Sequence, residues 1–388
     1  MAKKVLIMSA STGGGHNRAA HAVKDELEKK SINEEPIDCE IIDSLKMINT
    51  ATDKIISSGY EKSAKYTPKA WGGMYKLSDA NIVAKNEFKG NLFNTLMCSK
   101  LKKLLRDSKP DLVIGTHPFP MIALSTLKKK YPDHNMSSSF YIPPLISVLT
   151  DYTAHSAYIQ DEVDYYIAGD EYVREVLISE GIDDQKIKVY GIPVEKSFLE
   201  HREKSVVLEE LGLAPDKFTI LVMGGSFGAG NIKDTLKELV SIDRDFQILV
   251  IAGRNESLKE KLQNSIDKSD LDKNISVLGF TNNMNDILSS VDVIISKPGG
   301  LTTTECLIKE LPMIIPYYIP GPEEENLDFL SNCGAAIRTS KKFTLSVLLK
   351  VLIDNPARLE LIKNNIKAIK KQNTAEDIAD LVVDIIGN

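Results

Sequence analysis

A chain of 388 residues with 43% apolar and 26% charged side chains has the balance of a folded globular protein and the length for two domains of about 150 residues. Its 48 Lys and Arg against 54 Asp and Glu leave a net charge of −6, which argues against bulk nucleic-acid binding. The charge is uneven, however: residues 54–109 hold 12 basic and 4 acidic side chains, a local +8, and the remainder carries −14.

The chain begins MAKKVLIMSAS, basic and then apolar. The apolar run is short and no small-residue cleavage site follows, so a first β-strand is expected rather than a signal peptide. Further short apolar runs rich in β-branched residues follow at 39–43, 112–117, 145–150, 164–169 and 187–191, with amphipathic helical segments such as 17–30 between them. A second series starts at FTILVMGG (218–225) and continues at 246–253, 275–280, 292–299 and 312–317. Alternating βα units predict parallel sheets covered by helices, and two series predict two Rossmann-like domains. The boundary is expected near Gly191-Ile192-Pro193, giving domains at 1–192 and 193–373, with a last helix at 374–388 that packs on either. An insert at about 45–109 is far longer than an ordinary βα connection. Cys39, Cys98, Cys306 and Cys333 are scattered, which suits a reducing cytoplasm and excludes the usual zinc spacings. No run reaches the ~18 apolar residues of a membrane span, so a soluble or peripheral protein is expected.

Three motifs fall at expected strand ends, where open α/β sheets bind ligands. In Ser11-Thr12-Gly13-Gly14-Gly15-His16-Asn17-Arg18, the glycines allow close backbone approach and the helix start presents free N–H groups. His16 there is disfavoured as a cation by the helix dipole, so it stays neutral near pH 7 and can accept a proton. The loop fits neither a P-loop nor G-x-G-x-x-G, although Asp43 leaves a dinucleotide reading open. A second glycine loop, Gly224-Gly225-Ser226-Phe227-Gly228-Ala229-Gly230, follows the first strand of the second series. The third and most specific is Ser296-Lys297-Pro298-Gly299-Gly300-Leu301-Thr302-Thr303-Thr304-Glu305, read as a turn followed by a helix N-terminus capped by threonines. Its N–H groups suit a diphosphate, and Glu305 suits ribose hydroxyls or, alternatively, a capping box. Pro320-Gly321-Pro322-Glu323-Glu324-Glu325-Asn326 then offers acids for sugar hydroxyls or for the helix dipole. Asp151, His117 and His155 stand at expected strand ends, as site residues or local caps. No metal-ligand cluster is apparent.

The insert holds the only tryptophan, Trp71, with Tyr60, Tyr66, Tyr75, Phe88, Phe93 and a basic run that includes Lys100, Lys102 and Lys103. Aromatic residues among lysines suit an interfacial helix, or else an insert core with a solvated face.

Together TGGGHNRAA (12–20), TDYTAH (150–155), YGIPV (190–194), MGGSFGAGN (223–231), SKPGGLTTTE (296–305) and PGPEEEN (320–326) resemble the monogalactosyldiacylglycerol synthase and processive diacylglycerol glucosyltransferase family. The resemblance implies an α/β GT-B fold, two facing Rossmann-like domains with a cleft between them. It also implies an inverting glycosyltransferase that moves glucose or galactose from a UDP-sugar to diacylglycerol, at the cytoplasmic face of an anionic membrane, without metal, cofactor or nucleic acid. By position it puts uracil near Gly253, Arg254, Phe280 and Thr281. The diphosphate falls against Gly225, Ser226, Phe227, Gly228, Gly299, Gly300, Thr302 and Thr303, the ribose on Glu305, and the sugar near Glu323 and Asn326. Pro322 and Glu323 stand where the wider superfamily often has Gln, which leaves the sugar open. His16 or Asp151 is the implied base, and Gly14, Gly15, Trp71, Phe88, Phe93, Lys100, Lys102, Lys103 and His155 belong to the acceptor and membrane side. A soluble UDP-N-acetylglucosamine 2-epimerase and a catalytically silent UDP-sugar sensor are the alternatives.

Overall fold

A computed structural model describes residues 2–11, 14–48, 72–73, 75–76, 92–131, 140–224, 232–268 and 273–387. Trp71, Phe88, Gly225, Ser226, Phe227 and Gly228 lie outside the described residues. The chain forms two compact units, Met1–Lys196 with Pro320–Pro322 and Lys371–Asn388, and Ser197–Ile319 with Glu323–Lys370.

Unit 1 runs β1 (Lys4–Ser9), α1 (Gly15–Leu27), a ribbon of β2 (Ser31–Ile32) and β3 (Glu35–Pro36), β4 (Asp38–Asp43), α2 (Ser44–Ile48) and α3 (Leu92–Ser108). It continues through β5 (Leu112–Gly115), α4 (Pro118–Lys130), β6 (Leu145–Val148), β7 (Tyr165–Ile167), α5 (Glu171–Ser179) and β8 (Ile187–Lys188). The main sheet has the order β4-β1-β5-β6-β7-β8 and is parallel throughout. Alternation along β1 divides the core: Leu6 and Met8 join one apolar cluster with Met97, Leu101 and Met121, while Val5 and Ile7 join the other with Ala20, Val23 and Leu27. Both faces are covered, which is why these strands read as unbroken apolar runs.

Unit 2 runs α6 (Lys204–Glu210), β9 (Thr219–Met223), α7 (Ile232–Val240), β10 (Gln247–Ile251), α8 (Glu256–Asp267), β11 (Ile275–Leu278) and α9 (Met284–Ser290). Then come β12 (Val293–Ile295), α10 (Gly300–Ile308), β13 (Met313–Ile315), α11 (Pro322–Asn332), β14 (Ala336–Arg338), α12 (Leu345–Asp354) and α13 (Pro356–Ile369). Its sheet order is β11-β10-β9-β12-β13-β14, again parallel.

The last helix, α14 (Thr374–Ile386), belongs to unit 1 and covers the α1 face, with Ile378, Ala379, Val382 and Ile386 in that core. Fully burying an aliphatic side chain of this size contributes about 1.5–3 kcal/mol. The Thr374 hydroxyl donates to the Tyr190 carbonyl at 2.6 Å. Gly191 beside it has φ +108°, and a Cβ there would lie 2.6 Å from Thr374 Oγ1 and 2.7 Å from Lys371 Cβ, so only glycine fits this crossing.

Strand order reverses between β1 and β5 in unit 1 and between β9 and β12 in unit 2. At each reversal two neighbouring connections leave in opposite directions and open a crevice at the carboxyl edge, where ligands of such sheets bind. The His16 loop leaves β1, and Ser296-Lys297-Pro298-Gly299 leaves β12.

Candidate active site

In unit 1, α1 begins at Gly15, with Gly14 as its N-cap residue and no side-chain cap. His16 is thereby carried over the end of β5. Its Nδ1 lies 2.8 Å from the Thr116 carbonyl oxygen and 2.9 Å from Thr150 Oγ1, while the Thr116 hydroxyl donates to the His16 carbonyl at 3.1 Å. A carbonyl only accepts, so Nδ1 carries the proton and the lone pair of the neutral ring sits on Nε2. Burial lowers the His16 pKa from 6.5 to about 4, outweighing the opposing effect of the Thr116 hydrogen bond.

His117 packs edge-on against His16, with ring centroids 4.6 Å apart. Its Nδ1 accepts from Phe119 N–H at 3.2 Å as the N-cap of α4, and burial followed by the proximity of His16 pushes its pKa well down. His155 caps a 3₁₀ turn by accepting from Ala157 N–H at 3.0 Å, and its ring lies against Tyr75 at 4.5 Å. Asp151 is half-buried, and its charge adds to the burial that raises the Tyr158 pKa. Asp43 is committed elsewhere: it accepts from Ser11 and from the Leu45 and Lys46 amides, which ties down the start of α2. That local role accounts for an acid at the end of β4 without a dinucleotide ribose.

The low His16 pKa sets a testable pH dependence. A base must be neutral to act, and this imidazole takes up its proton only as pH falls through about 4. The acid limb of kcat/KM is therefore expected near pH 4–5, with little change between pH 6 and 7. Folding follows the same sign: the unfolded chain binds this proton near 6.5 and the folded chain near 4, so stability declines as pH drops across that interval. A pH–rate profile with denaturation midpoints checks both.

In unit 2 the N-cap of α10 is Gly299, not a threonine, and no side chain caps it. Thr302 and Thr303 follow in the first turn, and Thr304 Oγ1 donates back to the Gly300 carbonyl at 2.8 Å. Among the described residues no side chain caps this helix start, and an uncapped helix N-terminus is an arrangement that suits phosphate. Glu305 lies six positions after the N-cap, so a capping box, which needs the third, does not explain it. It is only 3% exposed.

Lys297, between β12 and α10, forms an ion pair with Glu323 at the start of α11. Glu323 Oε2 also accepts from Ile319 N–H at 2.8 Å, so both carboxylate oxygens already have partners. Asn326 donates from Nδ2 to the Pro298 carbonyl at 2.9 Å, which pins the turn before α10. At the ends of β10 and β11, Gly253 turns with φ +62°, and the Arg254 guanidinium stacks 5.0 Å from the Phe280 ring, which is 53% exposed. Thr281 accepts from Asn283 N–H at 3.1 Å. Cys306 is buried and its thiol pKa is raised well above the ordinary value, so it is a packing residue.

On α3, Leu92, Leu96, Lys100 and Lys103 share one exposed face, and Leu92 is 75% exposed. Phe93 and Lys102 point elsewhere. Phe93 packs on Phe119 with centroids 5.3 Å apart, and Lys102 donates to the Tyr131 hydroxyl at 2.6 Å. Sequence reasoning passed over Thr116, Thr150 and Lys297. Lys297 stood in the quoted motif and was the one recoverable from it; the threonines meet His16 only through the fold. Among the described residues, no group of three or more His, Cys, Asp or Glu side chains could hold a metal ion.

Comparison with known proteins accords with this geometry. Residues 16–194 match the monogalactosyldiacylglycerol synthase family model, and residues 219–382 match the glycosyltransferase family 28 C-terminal domain. A processive diacylglycerol beta-glucosyltransferase of Bacillus licheniformis is 26% identical over 383 residues, 98% of this chain and 95% of that protein. Among solved structures, Acinetobacter baumannii MurG has a TM-score of 0.62 at 16% identity, covering 98% of this chain and 99% of that one. The Neisseria meningitidis UDP-GlcNAc 2-epimerase bound to UDP-GlcNAc has a TM-score of 0.60, also at 16% identity, covering 98% and 100%. These last two similarities speak to the fold alone. Two family models thus succeed one another along the chain and a relative matches almost its whole length, so the chain has the GT-B fold and is similar in sequence to monogalactosyldiacylglycerol synthases and processive diacylglycerol beta-glucosyltransferases.

Proposed function

We propose that this chain is an inverting glycosyltransferase that moves a hexose, glucose or galactose, from a UDP-sugar to diacylglycerol. The observation that carries the reading is the division of chemistry between the units. Unit 1 holds a neutral imidazole with its lone pair on Nε2, and unit 2 holds an uncapped helix N-terminus with a buried carboxylate further along the same helix. Unit 2 is the donor side: α10 N–H groups and Lys297 for the diphosphate, Glu305 for the ribose, and Arg254 with Phe280 for the uracil.

The diacylglycerol hydroxyl attacks the anomeric carbon from the face opposite UDP, and His16 Nε2 takes its proton. A base of such low pKa is weak alone. The departing diphosphate develops negative charge as its bond to the sugar breaks. That same diphosphate charge is met by helix N–H dipoles and the Lys297 ammonium, so the reaction runs without a metal ion. Asp151 is the second candidate base, and the two hydrogen bonds that orient His16 favour the histidine. Attack from the opposite face inverts the anomeric carbon, so an α-linked donor gives a β-glycoside. Proton NMR of the purified glycolipid tests this, because an α-anomeric product would exclude the single-displacement route.

The acceptor resides in a bilayer, and no helix among the described residues is long and apolar enough to cross one. The exposed face of α3 suits peripheral docking at the cytoplasmic side, with Leu92 and Leu96 for acyl chains and Lys100 and Lys103 for anionic headgroups. Each lysine near such a surface contributes about 1 kcal/mol.

A further inference from the structure

We propose that unit 2 carries a membrane foot of its own, formed by the turn after β14 and the outer face of α12, and that it fits an anionic lipid bilayer. This rests on the lipid-acceptor reading above and adds a contact outside the basic insert.

The turn is a built element. Ser340 N–H donates to the Phe343 carbonyl at 2.8 Å, and Phe343 N–H donates back to Ser340 Oγ at 3.1 Å. Closed this way, it presents Lys341, Lys342 and Phe343, all exposed, with Phe343 at 60%. Thr344 caps α12 by accepting from Val347 N–H, and Val347 and Val351 continue the exposed apolar line one and two turns on. Val347 and Val351 are spaced four apart on one side of the helix, with Phe343 just ahead of its N-cap, while Leu345, Leu349 and Leu352 face the core. A large aromatic ring and two valines in water are costly for a surface that meets nothing.

Charge indicates what meets it. Residues 339–355 contain Lys341, Lys342 and Lys350 and a single acid, Asp354, in a chain whose net charge is −6. Asp354 is held by the Arg244 guanidinium at 2.7 and 2.8 Å. Glu238, packed against the start of α12, accepts from Ser346 N–H at 2.8 Å. The lysines therefore give a net positive rim to an apolar line, the combination that binds anionic headgroups with shallow side-chain insertion.

Position gives a reason for it. The turn leaves the carboxyl end of β14, the same sheet edge from which the loop before α10 leaves β12, two strands away. Two strand spacings are about 10 Å. A lipid hydroxyl that reaches a sugar held at this edge brings the bilayer surface near it.

Sedimentation of the full chain with sucrose-loaded phosphatidylglycerol–phosphatidylcholine vesicles tests the proposal. Lys341→Ala and Lys342→Ala should each weaken binding about fivefold, and together about 25-fold, with the difference shrinking in high salt. Phe343→Ser should weaken binding at all salt concentrations. Turnover of a short-chain diacylglycerol in detergent micelles should stay unchanged in all four variants, which shows the fold is intact. Wild-type vesicle affinity in the double variant overturns the foot and leaves the transferase reading standing. A loss confined to self-association in light scattering assigns the patch to a second copy and also overturns it. If the unaltered chain binds no vesicles and labels no lipid, the lipid-acceptor reading itself fails.

Discussion

Replacing His16 by Ala should lower the transfer rate by about 10²–10⁴-fold, the usual contribution of a positioned general base. The Kd for UDP should stay within about twofold of the unaltered chain, because the groups proposed to hold the donor belong to unit 2 and His16 to unit 1. The size of the effect follows from how firmly the ring is set. Thr116 and Thr150 both engage Nδ1, which fixes the tautomer and directs the lone pair through Nε2. Asn at this position would supply a polar group of similar size without a proton acceptor of comparable basicity, so His16→Asn should be nearly as impaired. Single-turnover rates and UDP titration calorimetry on both variants separate chemistry from binding. Full turnover in either variant would move the base assignment to Asp151.

The second large effect is expected at Glu305. Its carboxylate is buried in α10, and a pair of ribose hydroxyls would give it two charge-assisted hydrogen bonds. Hydrogen bonds to charged groups are worth about 1.5–3 kcal/mol each, and part of that is recovered by water in the variant. Glu305→Ala should therefore raise the Kd for UDP about 10- to 100-fold, with a smaller effect on kcat at saturating donor. Glu305→Gln keeps the volume and one acceptor and should fall between. If thermal unfolding shows that the alanine variant is destabilised, the glutamine variant still decides the matter. Unchanged UDP affinity in both would remove Glu305 from the donor site.

Much of this architecture was legible because parallel strands covered on both faces must be apolar at every position. VLIMSA, LVIGTH, FTILVMGG and FQILVIAG stand out for that reason, and they are β1, β5, β9 and β10. Strand β14 escaped notice because Ala336–Arg338 is an edge of three residues, one of them an exposed arginine. The ribbon Ser31–Ile32 with Glu35–Pro36 is polar and short, and it lacks any apolar signal.

The site divides in the same way. His16, Glu305 and the glycines of α10 were visible because strand-end loops and helix starts are local features. The contacts that set the His16 tautomer were not, since Thr116 and Thr150 lie 100 and 134 residues away in sequence. Glu323 was placed near the sugar by the family resemblance, its run of acids alone leaving a helix-dipole role open, whereas the fold sets it against Lys297, 26 residues earlier. The basic run at 100–103 looked like one patch, but helical geometry leaves Lys100 and Lys103 exposed and turns Lys102 onto Tyr131. Counting charge by window drew attention to residues 54–109. It passed over Lys341 and Lys342, whose meaning depends on the exposed Phe343 beside them.

The central claim is transfer of a sugar from UDP to a lipid hydroxyl, and one assay addresses it directly. The full chain is incubated with radiolabelled UDP-glucose or UDP-galactose and diacylglycerol in phosphatidylglycerol vesicles, and the organic phase is resolved by thin-layer chromatography. The account predicts label in a glycosyl diacylglycerol that depends on the chain, the acceptor and an intact His16. No label in lipid from either donor, with turnover of UDP-N-acetylglucosamine to its 2-epimer, would contradict it.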